Sequence, residues 1–218
     1  MLFPLIESIL LQVNAAFKIL FLLGAVEGNN KLTHIGRQMN NFPLDPTHAR
    51  ALLASKDFGC TFEVLGIISV LSAQGSLFFD SSEHRDQAVE ARNKFWHSSG
   101  DHMTAFNVLK AYQELKQSGE SKGMRRDWCR QHFLSERTLI EAISIQDQLQ
   151  RICETNGIDW KASCGNDTEL VLKSLLSGLR LKTAKARNEG GYKQMIGNQV
   201  SMLVRNSKHL KLWRNFFC

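Results

Sequence analysis

The sequence predicts a mainly α-helical fold, and three observations lead there. From residue 45 to residue 153, apolar residues recur at helical spacing in one segment after another, most of them preceded by a capping residue. Only three prolines interrupt 218 residues, and strand-like alternation is scarce. One stretch, residues 31–46 (KLTHIGRQMNNFPLDP), reads as the hinge between two packed units.

In chain order, residues 6–23 carry Ile9, Val13, Ala16, Phe17, Leu20 and Leu23 near a 3.6-residue period. The early part is apolar all round, which predicts a helix covered on more than one side. Glu7, Gln12, Asn14 and Lys18 interrupt it, so it reads as a buried helix rather than a membrane span or signal peptide. Gly28, Asn29 and Asn30 suit a turn, and Leu32 and Thr33 a short extended piece. Thr33 is placed to cap a short helix bearing Ile35 and Met39, which Asn40 and Asn41 end. Pro43 pushes Phe42 away from helical angles. Asp45 is the expected N-cap of a helix over 45–57, with Pro46 at its first position and Gly59 as its C-cap glycine.

Thr61 is the expected cap of the next helix, 62–73, with Val64, Leu65, Ile68 and Leu71 on one stripe. A loop over 76–82 holds Phe78 and Phe79, read as packing anchors rather than base-stacking rings. A charged helix over 84–95 follows. Asp101 is the expected cap of a helix over 103–116 with Ala105, Val108, Leu109, Tyr112 and Leu115 inward. His97, Asp101 and His102 read as a cap with packing histidines, because a third ligand at useful spacing is lacking. Arg125 to Cys129 opens another helix after a polar loop over 117–124. Ser135 is the expected cap of a helix bearing Leu139, Ala142, Ile143, Ile145, Leu149 and Ile152, with Gln146, Gln148, Gln150 and Arg151 toward solvent. Asn166 to Glu169 reads as a capping box opening a helix over 169–186, with Leu172, Leu175, Leu176 and Leu179 as its stripe.

Several of these segments resemble one family. Residues 23–53, LGAVEGNNKLTHIGRQMNNFPLDPTHARALL, resemble the winged-helix to helical-bundle junction of DEAH-box RNA helicases: LGA(L/V), a small hairpin, LT-x-x-G-x-x-M, then (F/L)PLDP and a small-residue helix. KFWHSSGDHMTAFNVLKAYQEL, residues 94–115, is the most specific match, to a GDH-(L/M/I)-T-x-x-N-(V/I) segment. DWCRQHFLSERTLIEAISIQDQLQRI, residues 127–152, resembles the segment leading into the ratchet helix, and GGYKQMIGNQVSM, residues 190–202, the first hairpin of an OB-like domain. The resemblance covers roughly residues 4–202. It implies a winged-helix part at 1–44, a ratchet-like helical bundle at 45–165, and a basic helix at 166–218 with a truncated β-hairpin start of an OB-like domain. An OB barrel needs five strands, and two at most can be placed here. The end of the chain, residues 203–218, is basic and aromatic, suited to RNA or membrane-surface contact or to an unpacked terminus.

Charge is unevenly placed. The net is +6, but ten of the 27 lysines and arginines lie from Lys173 onward, against one of the 21 acids, Glu189. Such a segment attracts polyanions by counterion release, although it also reads as a solvated tail. Lys182, Lys185, Arg187 and Lys193 are the candidate contacts to single-stranded RNA phosphates. Cations at a helix C-terminus also complement the helix dipole, which explains part of the cluster without RNA. Five scattered cysteines, none in a C-x-x-C pair, point to free thiols in a reducing compartment rather than to zinc or disulfides.

No G-x-x-x-x-G-K-[ST] loop and no DEAH-like acidic box occur. The chain alone is expected to hydrolyse no ATP and to hold no cofactor or metal. What the resemblance implies is an RNA-binding accessory region, acting in ATP- and Mg-dependent RNA unwinding or remodelling only with motor domains in cis. Activator proteins are further expected partners, no membrane is, and the nucleus is the expected compartment ahead of the cytoplasm. Two other readings stay open: a non-catalytic winged-helix and helical adaptor for protein partners, and a DNA-binding regulator. The short helix with His34, Arg37, Gln38 and Asn40 is thin support for the last.

Overall fold

A computed structural model describes residues 3–79, 84–186, 191–194 and 200–201. Helix α1 (Phe3–Leu22) ends in a turn that Gly24 closes at φ 75°, with Gly24 N donating to Phe21 O and Ala25 N to Leu20 O. The chain turns back through a small hairpin in which Val26 bridges Leu32. Thr33 then does two things. Its Oγ1 accepts from Gly36 N at 2.9 Å, capping α2 (His34–Met39), and donates to Gly24 O at 2.7 Å, tying α2 to the end of α1. Gly36 is required here, because a Cβ would lie 2.0 Å from Ala25 O.

The expected burial of α1 is overturned. From Ile9 to Phe21 its described side chains are exposed apart from the partly buried Leu20. Leu23, just past the helix, is the first fully buried side chain. Among the described side chains only the last turn of α1 packs on the bundle, and the apolar surface from Ile9 onward is left open.

Asp45 caps α3 (Pro46–Phe58) through Thr47 N at 2.9 Å, and Gly59 closes it at φ 64°. Helix α4 (Thr61–Ser72) runs through the middle of the molecule, buried at nearly every position from Thr61 to Val70. Thr61 is its first residue rather than its cap; Cys60 holds the cap position and makes no side-chain bond there. The helix N-terminus is instead held by the loop before α9, with Phe62 N donating to Ala162 O at 2.9 Å and Ser163 Oγ donating to the buried Glu63 carboxylate.

The helix α5 (Arg85–Asn93) buries Ala88 and Ala91. Helix α6 (Asp101–Gln117) starts one residue after Gly100, whose φ of 103° sets the entry, so Asp101 sits in the first turn and is not the cap. Helix α7 (Lys122–Gln131) begins earlier than the sequence predicts, because Ser121 Oγ accepts from Met124 N and caps it. Trp128 packs against Phe95, Tyr112 and His132, with ring centroids 5.8, 6.2 and 4.6 Å away. Phe78 bridges Leu134 and lies under the Arg92 guanidinium at 4.5 Å, the expected anchoring role. Phe79 leans on Phe133 and stays half exposed.

Ser135 caps α8 (Glu136–Thr155) as expected. Gln146 does not face solvent: it is fully buried and accepts from Gln113 Nε2 at 2.6 Å. Two apolar clusters result. One joins α2, α3, α4, α9, the start of α6 and the second half of α8; the other joins the end of α4 with the rest of α6, α7 and the first half of α8.

Asp167 caps α9 (Thr168–Leu179), whose side chains face α3. The buried face is Val171, Ser174, Leu175 and Gly178; of the expected leucine stripe Leu175 is buried, Leu172 and Leu179 are partly buried, and Leu176 is exposed. Small residues decide this. Ser174 Oγ donates to Ala51 O at 2.8 Å, and a Cβ on Gly178 would lie 2.0 Å from Thr47 O. Only backbones without side chains between them approach so closely.

The helix expected to continue to residue 186 stops at Leu179. A single 3-10 turn (Arg180–Lys182) follows, and Thr183 Oγ1 donates back to Arg180 O at 2.7 Å. Strands β1 (Ala184–Ala186), β2 (Tyr192–Gln194) and β3 (Val200–Ser201) form an antiparallel sheet in that order. Strand β1 is unpredicted, since LKTAKA has good helix propensity; pairing with β2 overrides it. Arg187 and the tail 203–218 lie outside the described residues.

Candidate nucleic-acid interface

Three of the four predicted basic contacts can be placed. Strand alternation puts Lys185 and Lys193 on one face of the sheet, and register pairs them directly across β1 and β2. Both are exposed, while Tyr192 and Gln194 beside them are partly buried. Like charges directly opposite in a sheet repel. Two exposed ammonium groups in this arrangement lose that penalty when an anion sits between them.

Lys182 lies elsewhere in the local chain, exposed at the end of the 3-10 turn and within electrostatic reach of Asp45 and His48 at the start of α3. Burial disfavours the Asp45 carboxylate, but hydrogen bonds from Thr47 and the neighbouring His48 and Lys182 outweigh it, and its pKa falls below the usual carboxylate value. Burial pushes the His48 pKa down, Asp45 opposes, and Lys182 and His102 push it further down. The structure therefore gives Lys182 a structural neighbourhood of its own, apart from its place in a basic cluster.

The His97, Asp101 and His102 trio makes no metal centre. His97 Nδ1 accepts from Ser99 N at 3.0 Å, and His102 is a packing histidine whose pKa burial lowers. Among the described residues no group of three His, Cys, Asp or Glu is arranged to hold a metal ion. The described cysteines are all free; burial raises the Cys60 and Cys129 thiols to about 12 and the Cys153 and Cys164 thiols to about 11, which makes poor nucleophiles of them. Among the described residues no helix is long and apolar enough to cross a membrane.

Comparison with known families decides the assignment. Residues 16–44 match the model of the helicase associated domain (HA2), winged-helix, and residues 45–105 that of the helicase associated domain (HA2), ratchet-like. The chain belongs to the C-terminal accessory region of DEAH-box RNA helicases. It is 33% identical over 184 residues to the ATP-dependent RNA helicase DHX33 of Mus musculus, a match spanning 83% of this chain and 25% of that protein. Identity to the probable ATP-dependent RNA helicase DHX35 of Homo sapiens is 31% over 179 residues, 82% of this chain and 24% of the relative. A Schizosaccharomyces pombe relative, 35% identical over 189 residues (85% and 28%), is named provisionally as a pre-mRNA-splicing factor ATP-dependent RNA helicase. The chain spans about a quarter of the length of the curated relatives it matches.

Within this accessory region the sequence missed one basic constellation. Arg50 on α3 and Arg180 after α9 line the same cleft, although 130 positions separate them. Only the close α3 and α9 packing brings them together, and no spacing rule along the chain reports that.

Proposed function

We propose that this accessory region binds single-stranded RNA through its phosphates, at Lys185 and Lys193 with Lys182 and Arg187, and serves RNA unwinding or remodelling together with motor domains of the same polypeptide. The observation that supports it is the cross-strand pairing of two exposed lysines in a family of RNA helicases. Among the described residues no aromatic platform accompanies them on that face, so phosphate contact dominates over base reading. ATP and Mg enter only through the motor, and this region supplies RNA contact and receives activator proteins. The nucleus is the proposed place of action.

Fluorescence anisotropy with a labelled oligouridylate at several salt concentrations tests the reading. Affinity should fall by about 0.7 log units per log unit of salt for each phosphate neutralised. Changing Lys182, Lys185, Arg187 and Lys193 together to Ala should lower both the affinity and that slope. Equal binding of parent and variant at every salt removes the basic segment as an RNA site and favours the adaptor reading, in which the region binds proteins.

A further inference from the structure

The winged-helix part and the bundle meet at an exposed pair of asparagines. Asn41, after α2, donates from Nδ2 to Asn156 Oδ1 at 2.5 Å, across 115 positions of chain. Asn156 is the C-cap residue of α8, and Gly157 follows it. It is the one asparagine of the chain that a glycine follows. That step carries a chemistry of its own, deamidation. The Gly157 backbone nitrogen, unhindered because glycine has no Cβ, can attack the Asn156 carboxamide carbon. The N–Cγ bond forms, the Cγ–Nδ2 bond breaks, and ammonia leaves with the proton of the Gly157 N–H. Water then opens the five-membered imide at either carbonyl. One opening gives aspartate; the other gives isoaspartate, in which the main chain runs through Cβ and is one carbon longer.

The folded structure opposes the first step. The carboxamide is held at both ends: Oδ1 accepts from Asn41, and Nδ2 donates to Ile152 O at 2.8 Å. The attacking nitrogen is occupied as well, since Gly157 N donates to Glu154 O at 3.2 Å. Asn156 sits at ψ 9°, which turns the Gly157 nitrogen away from the side chain, so ψ must rotate before attack. Ile158 resists that rotation, because its N–H donates to Cys153 O at 2.9 Å and its side chain is buried in the core. Of these hydrogen bonds only the one from Asn41 comes from outside α8 and its cap. It makes the reaction depend on how the winged-helix part sits on the bundle. Conversion in turn works against the joint. A carboxylate at position 156 stands at the C-terminus of α8, where the helix dipole disfavours negative charge, and near Glu154 and Asp159 in sequence. The longer isoaspartyl backbone does not fit the turn that Gly157 N and Ile158 N close.

We propose that Asn156–Gly157 is a self-modification site that converts to aspartate and isoaspartate with water as its only co-reactant, and that Asn41 of the winged-helix part holds it unconverted while the two parts stay docked. The site is separate from the lysine pair on the sheet and does not rest on RNA binding.

The test ages the full chain in mildly alkaline buffer and follows Asn156 by peptide mapping, with isoaspartate counted by enzymatic methylation. The folded parent should convert at least about tenfold more slowly than the same chain in urea, since several hydrogen bonds must break first. Asn41→Ala and Asn41→Asp, neither of which donates to Asn156 Oδ1, should each speed conversion of the folded chain by about three- to tenfold, the range that one hydrogen bond supplies. Neither should change the rate in urea, which separates docking from the intrinsic chemistry. Asn156→Gln, whose longer side chain closes the ring poorly, should end the signal both in urea and in buffer. Thermal melts confirm that the Asn41 variants, changed at an exposed position, are folded. The converted parent, separated by anion exchange, should melt lower than the fresh protein. No conversion at Asn156 in urea, equal rates for the folded and unfolded parent, Asn41 variants that convert at the parent's rate, or a converted fraction that melts with the fresh protein each overturns the proposal.

Discussion

Single residues set the tolerances of this fold. Gly178 lets α9 approach α3 until a Cβ would touch Thr47 O at 2.0 Å, and backbone cannot move aside as a side chain can. Gly178→Ala should therefore destabilise the protein by about 1–3 kcal/mol, the usual cost of overpacking. Gly123 is the counterpart: it lies in α7 with only Ser121 Oγ, at 3.8 Å, near a would-be Cβ. Gly123→Ala should be neutral or stabilising by up to about 1 kcal/mol. Urea melts of the two variants give opposite shifts if close approach is what matters. Asp45 is a second such residue. Asp45→Ala removes the α3 cap and should cost about 1 kcal/mol at neutral pH. Its folded pKa is lowered, so its stabilisation is present above the unfolded carboxylate value and fades as pH falls through the folded one. The Asp45→Ala deficit should shrink in melts at strongly acid pH.

At the scale of elements, α3 is the hub: α9 lies along one side of it and α4 along another. Two partly buried histidines sit at this junction and the neighbouring α6, His48 beside Asp45, Lys182, His102 and Ser72 Oγ, and His102 in the first turn of α6 beside Asp101. Burial lowers both pKa values below 6.5, with Asp45 and Asp101 opposing. The unfolded chain then binds more protons than the folded one between the folded pKa and 6.5, so stability rises with pH through that window. Urea melts should show lower stability at pH 5.5 than at pH 7.5, and His102→Gln should reduce the difference. A variant with the parent's full pH dependence would assign the effect elsewhere.

For the molecule as a whole, the HA2 assignment and the missing phosphate loop bear on activity. Holding the γ-phosphate and Mg needs a cradle and an acidic ligand pair, and the sequence carries neither motif. The purified chain should turn over no ATP with or without RNA; phosphate release above a buffer blank that survives re-purification would refute this. What the chain presents instead is surface: a lysine pair on the sheet, and the open apolar side chains of α1.

The sequence by itself determined what is local. Thr33, Asp45 and Ser135 cap the helices they were expected to cap, and Gly59 ends α3, because a cap is settled by a few neighbouring residues; Thr61 and Asp101 missed by one position, each standing as the first residue of its helix. Family membership was legible for the same reason, in short motifs such as FPLDP and GDHMT. Tertiary structure decided which faces meet. Gln146 is buried because Gln113 on another helix satisfies it; α9 turned its small residues inward because α3 offered a backbone to approach. Strand β1 formed because β2 was there to pair with, and that same pairing set Lys185 beside Lys193. The Arg50–Arg180 cleft was illegible for the same physical reason: long-range contact depends on packing between elements, which no periodicity along one segment encodes.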